Sequence, residues 1–165
     1  MQPEPTSDRD SEAAVSEVVL LGYPVKLWVR QQERQRDVLR EFQIIASGLQ
    51  TGEAGGDLPV RLVTMVDRVM TTYAAQIAAP AQQRLAALER GDDQVDLRYP
   101  VVPEARAVIQ EWRETMAEVD ETCRRGDLLV PPPPPEIVAL RTWVLDEYLR
   151  QLDGEPPRRW DGPLS

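Results

Sequence analysis

Residues 104–124 read EARAVIQEWRETMAEVDETCR, and this stretch decides the class of the fold. Apolar residues recur along it at every third or fourth position, which is the spacing of one buried face of an α-helix: Ala105, Ile109, Trp112, Met116, Val119 and Cys123. Arg124, Arg125 and Gly126 then make a favourable helix C-terminus. Because a helix with one apolar face is stable only when that face is covered, the rest of the chain must supply its partners.

Further amphipathic helices are predicted on both sides of this stretch. Apolar residues with helical spacing predict three of them, over residues 24–48, 58–79 and 136–153. Pro80 is expected to end or kink the second one, because proline has no N–H and clashes with the preceding turn. A shorter helix then runs to Gly91. Four or five such helices predict a mainly all-α fold, a four- to five-helix bundle formed by residues 17–153.

One segment interrupts the helical pattern. Residues 95–99, Val-Asp-Leu-Arg-Tyr, alternate between apolar and polar side chains, which is the period of a β-strand. Residues 94–100 are therefore predicted to be extended or strand-like. They form either a connector or a strand that pairs with residues 17–21, and the sequence leaves both open.

The two ends of the chain differ from its middle in composition. Residues 1–16 are polar and rich in acids, and they predict a disordered N-terminal tail. Residues 154–165 are rich in proline and arginine, and they predict an irregular C-terminal tail. We therefore expect a single domain between them.

Composition excludes several classes of function. The 165 residues include 28 acids and 19 bases, giving a net charge of -9, which argues against binding to nucleic acid or to an anionic membrane. The chain has no histidine and a single cysteine, so histidine-dependent triads, imidazole metal ligands and internal disulfides are absent. No secretory signal or membrane-spanning run is recognisable, since a span needs about 20 apolar residues. With one cysteine, we expect a cytoplasmic location.

The predicted helix over residues 24–48 has an unusual profile. Apolar residues cluster near its start, around Trp28, and again near its end, around Phe42. Eight consecutive polar residues, RQQERQRD from Arg30 to Asp37, separate the two groups, so two helical turns lack an apolar anchor. This stretch is either a solvated lattice of ion pairs or a face that binds a partner protein by charge complementarity. The second hypothesis assigns partner binding to Arg30, Glu33, Arg34, Asp37 and Arg40.

Acidic residues offer two candidate metal sites, and neither matches a metal-binding pattern. Glu33, Asp37 and Glu41 share a helix face, but arginines interleave with them, and di-iron bundles use Glu-x-x-His motifs. A loop group lacks the EF-hand arrangement: Asp92, Asp93 and Asp96. The glycine-rich stretch at residues 48–56 matches no phosphate-binding motif. We predict no metal, no cofactor and no enzymatic activity, with a carboxylate-only enzyme as the remaining catalytic alternative.

Aromatic residues allow two interpretations. Trp28, Tyr73, Trp112 and Trp143 lie on apolar faces of the predicted helices, where core packing is their ordinary role. The alternative is that they line a small-molecule pocket between the helices. Trp160 follows the last helix, and it either folds back to cap the bundle or anchors a protein partner.

Two further features have expected structural roles. Cys123 lies on the apolar face of its helix, so we expect a small core residue rather than a nucleophile. Five consecutive prolines, Pro131–Pro135, predict a stiff polyproline II segment that acts as a linker, and the alternative is a ligand for an SH3-like groove.

Four segments of the sequence support a resemblance to a known family: Leu20–Leu27 (LLGYPVKL), Leu39–Phe42 (LREF), Val95–Tyr99 (VDLRY) and Trp143–Trp160 (WVLDEYLRQLDGEPPRRW). The chain resembles, over about residues 18–160, a family of small bacterial helical proteins associated with partner-switching regulators. Those regulators are anti-sigma kinases, STAS-domain antagonists and their phosphatases. The resemblance implies a signalling accessory or scaffold whose protein partner is an anti-sigma kinase or a STAS-domain protein.

Two hypotheses of function follow from the residues and the resemblance together. The first is a non-catalytic regulatory or scaffold protein that acts through protein–protein contacts. The alternative is a small-molecule sensor with a pocket between the helices. A homodimer is compatible with both, because helical bundles often pair through apolar faces.

Overall fold

The computed structural model describes residues 15–49 and 57–165, which form five helices and two strands. In chain order these are β1 (Ser16–Pro24), α1 (Val25–Leu49), α2 (Leu58–Thr72), α3 (Ala74–Arg90), β2 (Gln94–Val101), α4 (Ala105–Arg125) and α5 (Pro135–Leu152). The prediction of a mainly helical fold is confirmed, with a two-stranded sheet in addition. The predicted tail at residues 1–16 lies almost entirely outside the described residues, and Ser16 already belongs to β1.

β1 and β2 pair as antiparallel strands, so the segment at residues 94–100 is a paired strand and not a free connector. Val18 lies opposite Tyr99, and Leu20 lies opposite Leu97. These four side chains are buried, and the polar residues that alternate with them on β2, Asp96 and Arg98, are exposed. The alternation seen in the sequence therefore arises because one face of the sheet packs on the core.

A bulge in β1 requires glycine. The register of the sheet shifts between Leu20 and Tyr23, and Gly22 adopts a φ of +69°. A Cβ at this position would lie 2.7 Å from a guanidinium nitrogen of Arg159. The Gly22 N–H donates a hydrogen bond to Asp96 Oδ1 at 2.6 Å. The backbone conformation therefore selects glycine, and a side chain here would also require the flexible Arg159 guanidinium to move.

The helix predicted over residues 58–79 is interrupted at Tyr73, and Pro80, which was expected to end or kink it, does not end a helix, because α3 continues through it. Pro80 lies in the interior of α3, and its ring is fully buried. A proline inside a helix removes one hydrogen bond, and burial of its ring offsets part of that loss. Tyr73 has a φ of -111° and a ψ of 20°, yet its N–H still donates to Val69 O at 3.0 Å. The chain thus bends at Tyr73.

The buried apolar residues of the described chain form two clusters. The sheet cluster joins the two strands to α5 and the C-terminal segment, and it includes Val18, Leu20, Leu97, Tyr99, Leu140 and Trp160. The helix cluster joins α1, α2 and α4, and it includes Val38, Phe42, Leu62, Met65, Met116 and Val119. Cys123 is buried in the helix cluster, as its position on the apolar face predicted. None of the described helices is long and apolar enough to cross a membrane.

α1 belongs to both clusters, and its polar stretch lies between them. Leu27, near the start of the helix, is part of the sheet cluster, whereas Val38 and Phe42 are part of the helix cluster. The polar residues Arg30–Asp37 therefore span the gap between the two apolar groups. This arrangement explains why the helix lacks apolar anchors over two turns.

The C-terminal segment is irregular, as predicted, but it is docked on the sheet. The Trp160 N–H donates to Leu21 O at 2.9 Å, and the Trp160 side chain is only 5% exposed. Its indole packs against Trp143 in an edge-to-face arrangement, with ring centroids 5.4 Å apart. Of the two roles predicted for Trp160, the structure matches the first: the ring folds back and caps the sheet cluster, so its buried indole is not placed to contact a partner.

Two polar side chains of α5 hold the segment and the edge of the sheet. The side-chain amide of Gln151 hydrogen-bonds the backbone of β1 as a neighbouring strand would. Its Oε1 accepts from the Val19 N–H and its Nε2 donates to Val19 O, both at 2.8 Å. Glu147 is fully buried and accepts hydrogen bonds from the Arg158 N–H and Nε at 2.9 and 3.0 Å. Burial alone would raise the pKa of Glu147, but the hydrogen bonds from Arg158, Gln151 and Arg150 hold this pKa below its usual value.

Candidate functional site

A cavity of about 500 Å³ lies beside the polar stretch of α1, between the two clusters. All five helices contribute to its wall. Most of the wall is apolar, and the residues that define this apolar part are Leu62, Val66, Met70, Ile77, Leu85 and Trp112. Met70 and Leu85 are 56% and 44% exposed, so the cavity opens to solvent on the side of α2 and α3.

The polar part of the wall comes from α1. Gln31, Arg34 and Gln35 are half-buried and line the cavity, as does Gln32, whose Nε2 donates to Gln35 Oε1 at 3.3 Å. The helical period separates these residues from Arg30 and its neighbours on the exposed side of the same helix. A stretch that the sequence describes as uniformly polar thus has one face towards the cavity and one towards solvent.

A buried ion pair lies in the cavity wall. Arg141 of α5 donates to both carboxylate oxygens of Asp120 of α4. The two side chains are 14% and 9% exposed. One guanidinium thus binds both oxygens of the carboxylate. Asp120 is the only acidic residue among the described residues that line the cavity. Such a pair must stay matched, because either partner alone would be a buried, uncompensated charge.

Two half-buried arginines of the cavity wall contact neutral groups. Arg34 donates to Pro131 O at 2.5 Å and lies 3.5 Å from Cys123 Sγ. Arg84 donates to the Tyr99 hydroxyl, and its guanidinium lies over the Trp28 indole at 5.3 Å. The Arg84 Nε is buried without a hydrogen-bond partner among the described residues. These contacts orient both guanidinium groups but leave their charge unneutralised.

Three of the four arginines of the cavity wall differ from the other described arginines, and the fourth, Arg141, is paired with Asp120. Within residues 15–49 and 57–165, three arginines have no carboxylate at salt-bridge distance, namely Arg34, Arg36 and Arg84, and every other arginine has one. All three line the cavity, Arg34 and Arg84 as half-buried side chains and Arg36 as an exposed one. Unpaired positive charge is therefore concentrated at one place in a protein whose net charge is -9.

The aromatic residues predicted to line a pocket divide into two pairs. Trp28 and Trp112 line the cavity. Tyr73 packs against the sheet cluster, and Trp143 lies between Tyr23 and Trp160. The sequence analysis did not assign the polar residues of the cavity wall to a pocket. The helical period of the polar stretch shows which of its residues share a face. For Arg84 and Arg141 the sequence has no comparable signal, because their roles depend on which helices face each other.

The residues predicted to bind a partner lie on two sides of α1. Arg30, Glu33, Arg34 and Asp37 border a second, smaller concavity of about 330 Å³, whose opposite wall is the proline segment at residues 130–134. Arg30 forms an ion pair with Glu136 at 2.6 Å. Arg40 is exposed and lies 3.7 Å from Asp37.

The proline segment is fixed against α1. Glu41 accepts hydrogen bonds from the N–H groups of Leu129 and Val130 at 2.6 and 3.1 Å. The segment predicted to be a stiff linker at Pro131–Pro135 is extended between α4 and α5, Arg34 and Glu41 anchor it, and Pro135 begins α5. Proline suits that first helical position because its missing N–H has no intrahelical partner there.

Other candidate chemical groups are used by the fold. Burial raises the pKa of the Cys123 thiol, although the nearby Arg34 lowers it in part, so the thiol stays protonated. Burial also raises the pKa values of Tyr23, Tyr99 and Tyr148, which pack together beneath the sheet. Among the described residues, no group of three or more acidic or cysteine side chains could hold a metal ion.

The three acidic residues considered as a calcium site, Asp92, Asp93 and Asp96, each bind a different partner in the structure. Asp92 pairs with Arg90, and Asp93 pairs with Lys26 at 2.8 Å. Asp96 accepts from the Gly22 N–H at 2.6 Å and lies 3.6 Å from Arg159. Each of these carboxylates therefore stabilises a turn or the bulge of the sheet.

Comparison of the chain with models of protein families, with curated proteins and with solved structures gives no match.

Proposed function

We propose that the protein is a non-catalytic small-molecule sensor that binds its ligand in the cavity between the helices. The observation that supports this proposal is the cavity itself. Its volume of about 500 Å³ falls within the range of roughly 300–1,000 Å³ typical of small-molecule sites. Like such sites, it combines a mainly apolar wall with a few polar groups on one side.

The position of the cavity favours a sensor. It lies between the sheet cluster and the helix cluster, so a ligand there contacts elements of both. Binding stabilises the arrangement in which the two clusters hold their relative positions. The ligand thereby changes the population of conformations that a partner protein recognises.

A ligand-dependent melting temperature tests this proposal. Metabolite fractions from the native cell extract are added to the purified protein, and ligands are identified by mass spectrometry. A ligand present at 100 times its Kd stabilises the folded state by about 2.7 kcal/mol, which raises the Tm by roughly 5–10 °C for a domain of this size.

Two matched variants on α3 localise the effect. Ala81 lines the cavity, so Ala81→Phe fills part of it and abolishes the ligand-dependent rise in Tm. Ala78 is exposed on the same helix, so Ala78→Phe leaves the rise unchanged. Equal rises in both variants would place the ligand elsewhere, and the absence of any stabilising fraction would contradict the proposal.

A second candidate function is a regulatory or scaffold protein in a cytoplasmic partner-switching pathway, with an anti-sigma kinase or a STAS-domain protein as its partner. The exposed side chains of Glu33 and Asp37 favour it, because they border the concavity beside the proline segment. Affinity capture of purified STAS-domain and anti-sigma kinase proteins, at low and high salt, tests it. Glu33→Arg and Asp37→Arg should weaken capture, whereas the matched control Glu114→Arg on the exposed side of α4 should not. Capture that is insensitive to both charge reversals would exclude this face.

A further inference from the structure

We propose that the ligand of the cavity is an organic anion with an apolar body, and that Arg34 and Arg84 bind its acidic group. This inference rests on the proposed function and specifies the chemistry of the ligand. It follows from the charges of the wall, from the neutral partners of these two arginines and from the apolar residues opposite them.

The first argument is the distribution of ion pairs. Over the described part of the chain, arginines without a carboxylate partner occur only in the cavity wall, as Arg34, Arg36 and Arg84. Arg34 and Arg84 are half-buried, whereas Arg36 is exposed and is hydrated by solvent. Partly burying a guanidinium without a counter-charge costs free energy, and proteins therefore pair buried charges. An anion in the cavity would supply the missing counter-charge.

The second argument is that the acid of the wall is already occupied. Asp120 accepts from Arg141 through both oxygens, so it is not free to neutralise Arg34 or Arg84. For the same reason Asp120 is a poor partner for a cationic ligand. The charge of the wall therefore favours an anion over a cation or a neutral molecule.

The third argument is the pre-organisation of Arg34 and Arg84. The Arg84 guanidinium lies over the Trp28 ring and donates to the Tyr99 hydroxyl, and Arg34 is held by the Pro131 carbonyl. Each guanidinium is thus oriented by a neutral group while keeping its charge and its remaining N–H donors. Side chains that are held in place before binding lose less entropy when the ligand binds.

The apolar wall specifies the remainder of the ligand. Leu62, Val66, Ile77 and Trp112 line the cavity and offer no hydrogen-bonding side chains except the indole N–H. A ligand that consisted only of an anionic group, such as inorganic phosphate, would leave this surface in contact with water. An acidic group attached to an aliphatic or aromatic body matches both parts of the wall.

Two fluorescent probes separate the charge from the apolar body. 1-Anilinonaphthalene-8-sulfonate is anionic, and N-phenyl-1-naphthylamine has the same ring system without the sulfonate. We expect the sulfonate to bind about tenfold more tightly, and its affinity to fall as salt is raised. Decanoate should displace it, and decanol should do so more weakly.

Variants assign the effect to the cavity arginines. Arg34→Gln and Arg84→Gln should each weaken sulfonate binding by about tenfold and leave binding of the neutral probe unchanged. The matched control is Arg68→Gln, which removes an arginine paired with Glu111 on the surface, and it should leave both affinities unchanged. Circular dichroism checks that each variant is folded. If Arg84→Gln does not fold, Arg84→Met gives the same test, because it keeps an apolar side chain over Trp28 but removes the charge.

Each remaining outcome has a definite meaning. In one outcome, both probes bind equally, Ala81→Phe abolishes this binding, and the arginine variants do not alter it. That outcome would overturn the anion inference and leave the proposed function standing. Sulfonate binding that survives Ala81→Phe would place the anion outside the cavity and overturn the inference. Binding of neither probe would contradict both proposals.

Discussion

Replacement of Trp160 by alanine should unfold the C-terminal segment from the sheet and strongly destabilise the whole domain. The indole is 5% exposed, packs edge-to-face on Trp143, and donates from Nε1 to Pro163 O at 3.0 Å. Core substitutions of tryptophan or phenylalanine by alanine cost about 3–5 kcal/mol, because they remove buried area and leave a cavity. We therefore expect a loss of about 4 kcal/mol from the free energy of unfolding of Trp160→Ala.

This loss would be a large fraction of the total, since domains of this kind have a free energy of unfolding of about 5–15 kcal/mol. The corresponding fall in Tm is roughly 8–16 °C. Urea unfolding should be followed by far-ultraviolet circular dichroism, because the chain has four tryptophans and the substitution itself changes fluorescence. Leu164→Ala is the matched control: this residue is 39% exposed, so its loss should stay within about 0.5 kcal/mol.

A loss for Trp160→Ala that is no larger than that of Leu164→Ala would refute the reasoning. It would mean that the segment behaves as a tail, and that the anchoring role considered for Trp160 from sequence deserves a direct binding test. A large loss would instead show that residues beyond α5 belong to the folded domain.

Three further predictions concern other parts of the fold. Glu147→Gln should cost about 2 kcal/mol at neutral pH. The pKa of Glu147 is lowered in the folded state, so its carboxylate stabilises the fold at pH values above the unfolded pKa. This stabilisation is lost as the pH falls through the folded pKa. The urea midpoints of the variant and of the unchanged protein should therefore converge in acid. Gly22→Ala should lower the urea midpoint by the equivalent of about 1–2 kcal/mol, and an unchanged midpoint would contradict the account that the positive φ of Gly22 requires glycine. Asp120→Asn should lower stability by about 3 kcal/mol yet tighten sulfonate binding, because it leaves Arg141 as a further unpaired cation in the cavity; weaker sulfonate binding would contradict that account.

Much of the fold could be predicted because it depends on local periodicity. The helical spacing over residues 104–124 and 136–153 corresponds to α4 and α5 within two residues at each end. The partner of β2 stayed open, since a period of two identifies a strand without naming its neighbour. Pro80 was misjudged because the sequence does not show that its ring would be buried in the core.

The site was predicted less completely than the fold, for a related reason. Of the four aromatic residues suggested as a pocket, Trp28 and Trp112 line the cavity, whereas Tyr73 and Trp143 pack against the sheet cluster. Arg84 could not be recognised, because its role depends on reaching β2 and α1 across the fold. Polar periodicity on a single helix shows which residues share a face, but it does not show whether that face meets solvent, another helix or a cavity.

The polar stretch of α1 links these observations in physical terms. Had Gln31, Arg34 and Gln35 been leucines, the same positions would have joined the two apolar clusters into one, since they already face the interior between them. The polar side chains therefore hold open a space that apolar ones would fill, and they do so at a cost in stability. Unfilled space lined by unpaired charge is a common cost of binding sites, where function and stability conflict. The arginines without carboxylate partners within the described residues lie at that same place, which is why the cavity, rather than the exposed charged face of α1, is the stronger candidate for the site of function.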